Sequence, residues 1–285
     1  MLIMLATLAV GLLGACSAIK IAYNQAPDLA YWWLDGYVDF NDQQSPVVRE
    51  QLAGLMAWHR QSELPKVASL LQKSQGMMAN NVTSAQACDV FNEITVLVDS
   101  VVDKALPNVA ELAPTITAQQ LAAIQKKQQK TNAEFTKNYV SASPAERNAK
   151  RLKDAISRSE RFYGKLEAAQ IAVIERTIQS STFDAALSLK ERVQRQKDGI
   201  DLMRTLSSSK PATPVVQTSL RSYIARSLNS PDAAYRTYAQ TMVREGCESF
   251  AAVHASTTPA QRANAVQTLK NYELDVRTLM KPSGA

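Results

Sequence analysis

The sequence predicts an all-α protein, an elongated bundle of antiparallel helices with no sheet. Apolar residues recur at steps of three and four, for example at Val90, Ile94, Leu97, Val101 and Ala105. Helix-start signals recur along the chain, whereas the β-branched alternation of strands is nearly absent. Glycine is scarce, with nine in 285 residues. This scarcity argues against nucleotide-binding folds, whose phosphate loops need clustered glycines.

The chain begins with an apolar, uncharged run over residues 1–13. A run of this length is too short to cross a bilayer as a helix and is typical of a signal-peptide core. The next residues, Leu13-Gly14-Ala15-Cys16, resemble the lipobox of bacterial lipoproteins. The resemblance implies that residues 1–15 are a lipoprotein signal peptide and that Cys16 becomes the acylated N-terminus. Ser17 resembles the outer-membrane sorting signal.

No Lys or Arg precedes the apolar run, so either the true start lies upstream or the initiating amine supplies the charge. The alternative to a signal peptide is an N-terminal core helix with a chance cysteine. Two or more acyl chains hold a protein stably on a membrane. We therefore expect an outer-membrane protein on the periplasmic face, with residues 16–26 as a lipidated tether and residues 27–281 as a single all-helical domain.

The first helix of that domain starts near Pro27, since proline suits the first helical turn. On a 100° wheel an acidic stripe of Asp28, Asp35 and Asp39 shares one face with Trp32. The opposite face is apolar and contains Ala30, Trp33, Leu34, Tyr37 and Phe40. The carboxylates are predicted to form salt bridges or to be solvated, with a hard cation as the alternative. Core packing is the preferred interpretation of Trp32, Trp33 and Trp58, and contact with lipid head groups is the alternative.

Further helix starts follow. Ser or Thr precedes Pro at positions 45, 143, 213, 230 and 258, and capping-box spacing occurs at Thr83 to Gln86, Thr117 to Gln120, Ser143 to Glu146 and Thr258 to Gln261. A helix over residues 167–206 would be about 60 Å long if it were unbroken at residues 180–182. Residues 207–213 are a possible internal linker. The last residues, 281–285, are expected to fray.

Two cysteines remain after Cys16. Cys88 and Cys247 are predicted to form a disulfide in an oxidising periplasm, with buried free thiols or a metal-binding or catalytic role as alternatives. His59 and His254 show no metal-ligand spacing with a cysteine. No esterase, zinc-protease or phosphate-loop motif occurs. We therefore expect no enzyme, no catalytic residues, no metal and no cofactor.

Several motifs resemble a family of proteobacterial lipoproteins known as domain of unknown function 6279. They are Tyr23-Asn24, the segment from Tyr31 to Asp39, Trp58-His59-Arg60, Glu63-Leu64-Pro65, Asn132-Ala133-Glu134-Phe135, Ser143-Pro144-Ala145-Glu146-Arg147 and Arg151-Leu152. The resemblance implies a helical envelope lipoprotein and assigns no functional residues.

A second resemblance concerns the capping boxes. The segments 82–86, 116–120, 166–170 and 257–261 are similar to the Leu-Thr-x-x-Gln motif of the Spy and CpxP-like periplasmic chaperones. Those proteins are small helical cradles that shield unfolded clients. Good helix starts also converge on Thr-x-x-Gln for capping reasons alone. The irregular intervals exclude a solenoid.

Positive charge is concentrated between Lys126 and Lys165, where eleven basic and four acidic residues give +7 in a chain of +6. Such a region attracts polyanions, and a solvated helix face is the alternative. The predicted polyanion-binding residues are Lys126, Lys127, Lys130, Lys150, Arg151, Lys153, Arg158 and Arg161. We expect a non-catalytic binding or structural module held to the membrane by its lipid, with peptidoglycan, lipopolysaccharide or an envelope protein as partner and no nucleic acid. A tethered chaperone is the alternative, and the oligomeric state is left open.

Overall fold

The computed structural model describes the backbone of residues 14–281 and the side chains of residues 19–281. The predicted signal-peptide core and the Cys16 side chain lie outside these described residues. Residues 14–281 form twelve α-helices, one short 3₁₀ helix and one π-helix, and they contain no strand, so the all-α prediction is confirmed. None of the helices in residues 14–281 is both long enough and apolar enough to span a membrane.

The helices follow one another with short connections. Their bounds are α1 Gly14–Asn24, α2 Ala26–Val38, α3 Gln44–Ser62, α4 Leu64–Met78, α5 Ser84–Leu112, α6 Ala118–Phe135, α7 Pro144–Tyr163, α8 Ala168–Gln179, α9 Ala185–Ser209, α10 Thr213–Leu228, α11 Ala233–Ala255 and α12 Pro259–Leu279. The 3₁₀ helix covers Ala113–Thr115, and the π-helix covers Thr136–Val140 between α6 and α7.

The predicted tether is helical and packs against the body of the protein. Its Tyr23 hydroxyl bonds Nδ1 of His59 at 2.8 Å, and the Arg60 guanidinium donates to Asn24 at 2.9 Å. Lys20 lies 3.6 Å from Asp275 of α12. The side chains of residues 20–24 therefore hold this segment against the rest of the fold.

The predicted long helix over residues 167–206 is broken. Helix α8 ends at Gln179 and α9 begins at Ala185. Glu245 of α11 accepts hydrogen bonds from the Thr182 N–H at 3.0 Å and from the Ser181 hydroxyl at 2.9 Å, and Asp184 caps α9. These bonds stabilise the break because they give hydrogen-bond partners to backbone N–H groups that have no partner within a helix at this point.

The possible linker at residues 207–213 is mostly helical. Helix α9 runs to Ser209, Lys210 ends it with a positive φ of 43°, and α10 begins at Thr213. Cys88 and Cys247 form the predicted disulfide, with their Cα atoms 5.4 Å apart. The bond joins α5 to α11, on opposite sides of that connection.

The buried side chains of residues 19–281 form three clusters. The largest joins α4, α7, α8, α11 and α12 through residues such as Met78, Tyr163, Ile174, Val253 and Leu269. A second cluster joins α5, α9 and α10, and a third joins α6 to α9 and α2. Burial of such side chains supplies the main favourable free energy of folding.

Two buried pairs of glutamines fasten helix starts to each other. Gln170 and Gln261, at the third positions of α8 and α12, exchange amide hydrogen bonds of 2.6 and 2.9 Å. The Gln170 amide also donates to the Ser256 carbonyl, which lies five residues before Gln261. The Gln261 amide donates to the Lys165 carbonyl, which lies five residues before Gln170. The side-chain oxygens accept the backbone N–H groups of Glu167 and Thr258.

The same arrangement recurs in the first half of the chain. The Gln120 amide donates to the Gln44 side chain at 2.5 Å. The Gln120 amide also donates to the Asp39 carbonyl, and the Gln44 amide donates to the Thr115 carbonyl. Those carbonyls again lie five residues before the partner glutamine. The helix contacts repeat as well, because α2 packs on α3 and α6 just as α7 packs on α8 and α12. We call α2–α6 the first half of the fold and α7–α12 the second half, because both share this glutamine pair and these helix contacts.

Candidate functional site

Helix α7 has two chemically distinct faces. Leu152, Ala155, Ile156 and Phe162 pack against the largest buried cluster, to which Tyr163 belongs. The opposite side is basic, and Lys150, Lys153, Arg158 and Arg161 are exposed there. The Ser143–Glu146 capping box starts the helix, so the apolar and basic residues that follow fall on opposite sides at the helical period.

Helix α6 contributes the other predicted cations. Lys126 and Lys130 are exposed, and Lys127 is half-buried with its Nζ 5.4 Å from the centre of the Tyr37 ring. The three lysines fall within about 100° of one another on the helical wheel. They lie on one side of α6, next to α2.

The ion pairs of the described residues all lie away from this region. Ten basic residues are paired with carboxylates within 4.0 Å, and all ten lie outside residues 126–165. Within the part of the chain whose side chains are described, the eleven basic residues of that region therefore make no such pair. Among the described side chains, no carboxylate within that distance offsets their charge.

Arg151 differs from the other seven predicted residues. Its guanidinium donates to the Ser181 hydroxyl at 2.9 Å and to the Ile178 carbonyl at 3.3 Å, and it lies 4.8 Å from the centre of the Phe183 ring. Partial burial lowers the pKa of Arg151, which nevertheless stays charged at neutral pH. The contacts give Arg151 a structural role in fastening α7 to the connection between α8 and α9.

Two acidic residues of the region are engaged locally. Glu146 accepts hydrogen bonds from the Ser143 hydroxyl and backbone, which lower its pKa and keep it ionised at the start of α7. Glu160 accepts the Leu166 N–H at 3.2 Å. A carboxylate at a helix N-terminus interacts favourably with the helix dipole, so Glu146 acts on α7 itself.

The two histidines are used in packing. His254 is fully buried, its Nε2 lies 2.6 Å from the Asn80 carbonyl, and its Nδ1 lies 3.0 Å from the Tyr163 hydroxyl. Because a carbonyl only accepts, Nε2 carries the proton and Nδ1 accepts from the tyrosine. Burial lowers the pKa of His254, which favours the neutral ring. Both ring nitrogens are occupied by the fold.

Two of the three carboxylates of the acidic stripe have partners within the fold. Asp28 forms an ion pair with Arg49 at 3.1 Å, and Asp35 accepts the Phe40 N–H at 2.9 Å. Among the described residues, no group of three or more His, Cys, Asp or Glu side chains is placed to hold a metal ion.

The tryptophans of α2 lie at the surface, so the core-packing interpretation of Trp32 and Trp33 is wrong. Their exposed fractions are 61% and 64%, and that of Leu29 is 47%. Helix α2 buries Tyr31 instead, whose hydroxyl donates to Ser45 at 2.9 Å. Trp58 is half-buried on α3, near Lys104 of α5. The helical wheel placed Trp32 on the acidic face of α2, which is consistent with its exposure, but it placed Trp33 on the apolar face.

A second exposed apolar stripe runs along α5. Phe91, Ile94 and Val98 share one side of the helix and are each about half exposed. Ile94 belongs to the apolar seam predicted from the sequence, and Phe91 and Val98 extend the stripe beyond that seam.

No curated protein and no solved structure matches the chain. A family model does match residues 36–220, which is more than half of the chain and includes the basic helices α6 and α7. The matched span contains the Trp58-His59-Arg60 and Ser143–Arg147 motifs, whereas Tyr23-Asn24 and Tyr31 precede it. The chain therefore belongs to the family of unknown function DUF6279.

Proposed function

We propose that this chain is an outer-membrane-anchored periplasmic lipoprotein that acts as a non-catalytic binding module. The predicted acylation of Cys16 would hold it on the inner face of the outer membrane. The exposed cations of α6 and α7 would contact an anionic envelope component, either lipopolysaccharide or peptidoglycan. The observation that supports this proposal is the absence of ion pairs from residues 126–165 within the described part of the chain, against ten ion pairs elsewhere in it.

Unpaired surface cations suit this role for an energetic reason. A cation already paired with a carboxylate must lose that partner before it binds a ligand, whereas an unpaired cation loses only water. Guanidinium groups also match phosphate and carboxylate oxygens with two parallel hydrogen bonds. Attraction between exposed charges falls off beyond about 8 Å at physiological salt. Binding through this surface should therefore weaken steeply as salt increases.

Co-sedimentation of the acylated protein with purified sacculi, and in a second arm with lipopolysaccharide, tests the proposal. Lys150, Lys153, Arg158 and Arg161 are replaced together by Gln. A matched control replaces Lys197, Arg204, Arg221 and Arg244, four exposed residues that are ion-paired outside the region. We expect about tenfold weaker binding for the first variant, roughly 1.4 kcal/mol, and a much smaller change for the control.

Two results would contradict the proposal. Binding to neither material at low salt, or equal binding by both variants, removes the basic surface as the contact. Mass spectrometry that finds an unmodified Cys16 on an uncleaved chain removes the lipid anchor. The two failures concern different parts of the proposal and are read separately.

The α5 stripe favours a second candidate, a tethered chaperone that binds unfolded clients. Chaperones need exposed apolar surface, and Phe91, Ile94 and Val98 provide such a surface on one helix. Each glutamine pair includes one Thr-x-x-Gln helix start, at Thr117 or Thr258, and this motif is the one that resembles the Spy and CpxP-like proteins. The test is an aggregation assay with a reduced client protein. The candidate is supported if the wild type suppresses aggregation and the variant Phe91→Ser/Ile94→Ser does not. It is dismissed if stoichiometric wild type gives no suppression.

A further inference from the structure

The solvent-facing side of α1 and α2 carries a patch of apolar and aromatic residues beside the acidic stripe. Hydrogen bonds from Gln25 N–H to the Ile21 carbonyl and from Leu29 N–H to the Gln25 carbonyl carry the helical pattern across the junction of the two helices. On one continuous wheel Ile21, Leu29, Trp32 and Trp33 fall within about 120°. Ile21 is 61% exposed, as much as Trp32. We call these four residues the indole face.

We propose that the indole face lies in the head-group layer of the membrane that carries the lipid anchor. This inference rests on the proposed acylation of Cys16. Indole rings favour the half-wet interface of a bilayer, where the ring is buried and the N–H stays hydrated. Without such a contact, the two largely exposed tryptophans would keep a large apolar area in contact with water, which is unfavourable.

The position of the anchor supports a lipid occupant. The backbone of Cys16 lies in the first turn of α1, and Trp32 follows sixteen residues later. At a rise of 1.5 Å per helical residue, the two Cα atoms are at most about 24 Å apart. Helix α1 is fastened to the body through Tyr23, Asn24 and Lys20. A short and fixed connection keeps the indole face close to the membrane.

The charges beside the indole face favour an anionic surface. The Tyr37 ring lies 5.0 Å from that of Trp33 and 5.4 Å from Nζ of Lys127. Lys126 and Lys130 are exposed on the same side of α6. In the acidic stripe, Asp28 is paired with Arg49, Asp35 accepts the Phe40 N–H, and Asp39 at the end of α2 is the third carboxylate. Each lysine near an anionic leaflet adds attraction to it, so tryptophans and lysines would act together.

Depth-dependent quenching of tryptophan fluorescence tests the proposal on the acylated protein in vesicles. Trp58→Phe leaves only Trp32 and Trp33 as reporters, and the variant Trp32→Phe/Trp33→Phe leaves only the half-buried Trp58 as a matched control. The vesicles contain phosphatidylethanolamine with about a quarter phosphatidylglycerol, with or without brominated acyl chains. We expect brominated lipid to remove about half of the Trp32 and Trp33 emission and to leave Trp58 nearly unchanged.

A second set of variants distinguishes the contribution of the lysines to membrane binding from that of the tryptophans. Replacing Lys126, Lys127 and Lys130 by Gln should reduce quenching in vesicles with phosphatidylglycerol. The same change should have little effect when phosphatidylcholine replaces the anionic lipid. Replacing the paired residues Lys197, Arg204 and Arg221 by Gln serves as the control and should change neither.

Quenching decides the proposal in every case. An acylated protein that floats with the vesicles but shows no quenching of Trp32 and Trp33 overturns the docking and leaves the anchor intact. A protein that mass spectrometry shows to be unacylated, and that neither floats with the vesicles nor is quenched, overturns both the docking and the proposed function. A blue-shifted but unquenched emission with dimers in solution assigns the face to a second copy instead.

Discussion

Protonation of the buried histidine His254 should be coupled to folding. It lies between the Asn80 carbonyl and the Tyr163 hydroxyl, and burial holds its pKa below the ordinary value of 6.5. The same burial raises the pKa of Tyr163, so this hydroxyl stays protonated and can donate. The pair links α7 and α11 to the segment that precedes α5.

A pH dependence of stability follows from that shift. The unfolded chain binds a proton near pH 6.5, whereas folded His254 resists protonation to a lower pH, so the unfolded state binds more protons between these values. The free energy of unfolding should therefore fall as pH decreases from about 6.5 towards the lowered pKa of the folded state. Urea unfolding of wild type and His254→Gln at pH 7.5 and 5.5 measures this, and the variant should lose less stability on acidification.

The pKa of His59 is also lowered by burial, so part of the dependence should persist in the variant. The double variant His59→Gln/His254→Gln separates the two contributions. Equal losses of stability for wild type and both variants between pH 7.5 and 5.5 would show that neither histidine carries the effect.

At the scale of the helix, starts were the most predictable feature of this chain. All four capping boxes predicted from Thr or Ser and a Gln or Glu three residues later are formed. The Ser45-Pro46 and Ser230-Pro231 dipeptides each mislead by two residues, because α3 begins at Gln44, whose N–H the Asn41 side chain accepts, and Asp232 caps α11, which begins at Ala233. A cap is local chemistry, so sequence predicts it where no stronger neighbouring cap competes.

The burial of each box depends on what packs over it, and local sequence does not contain that information. Gln86 is exposed at the start of α5, whereas Gln261 is buried against Gln170 from 91 residues away. Trp32 and Trp33 illustrate the same limit, because their exposure depends on which side of α2 meets α3 and α6. The unpaired state of the basic region also depends on where distant carboxylates lie.

This difference predicts unequal costs for the same substitution. Gln261→Ala leaves the buried Gln170 amide without its partner and removes the acceptor of the Thr258 N–H, so it should cost about 2–3 kcal/mol. Gln86→Ala removes a solvent-exposed half of a box and should cost about 0.5–1 kcal/mol. Thermal or urea unfolding of both variants provides the comparison. Equal costs would show that the glutamine pair adds nothing beyond capping.

At the scale of the molecule, the two halves are joined by paired elements from each. Helix α4 of the first half packs on α12 of the second, and α6 packs on α9. Helix α5 packs on α11, and the bond between Asn80 and His254 shows that the start of α5 meets the end of α11. The disulfide lies on this antiparallel pair and constrains the relative position of the halves.

Removal of the disulfide should therefore weaken the association of the halves. Cys88 and Cys247 are 159 residues apart, and closing so long a loop lowers the entropy of the unfolded chain by an amount worth about 5 kcal/mol in the chain-entropy model. Native strain and residual structure reduce such values, so we expect Cys88→Ala/Cys247→Ala to lose about 2–5 kcal/mol. Urea unfolding of wild type with and without reductant should show the same loss, while reductant leaves the double variant unchanged. The glutamine pairs and buried clusters remain in the double variant, so its far-ultraviolet circular dichroism spectrum should stay helical. Loss of the helical signal would mean that the disulfide is required for folding and not only for stability.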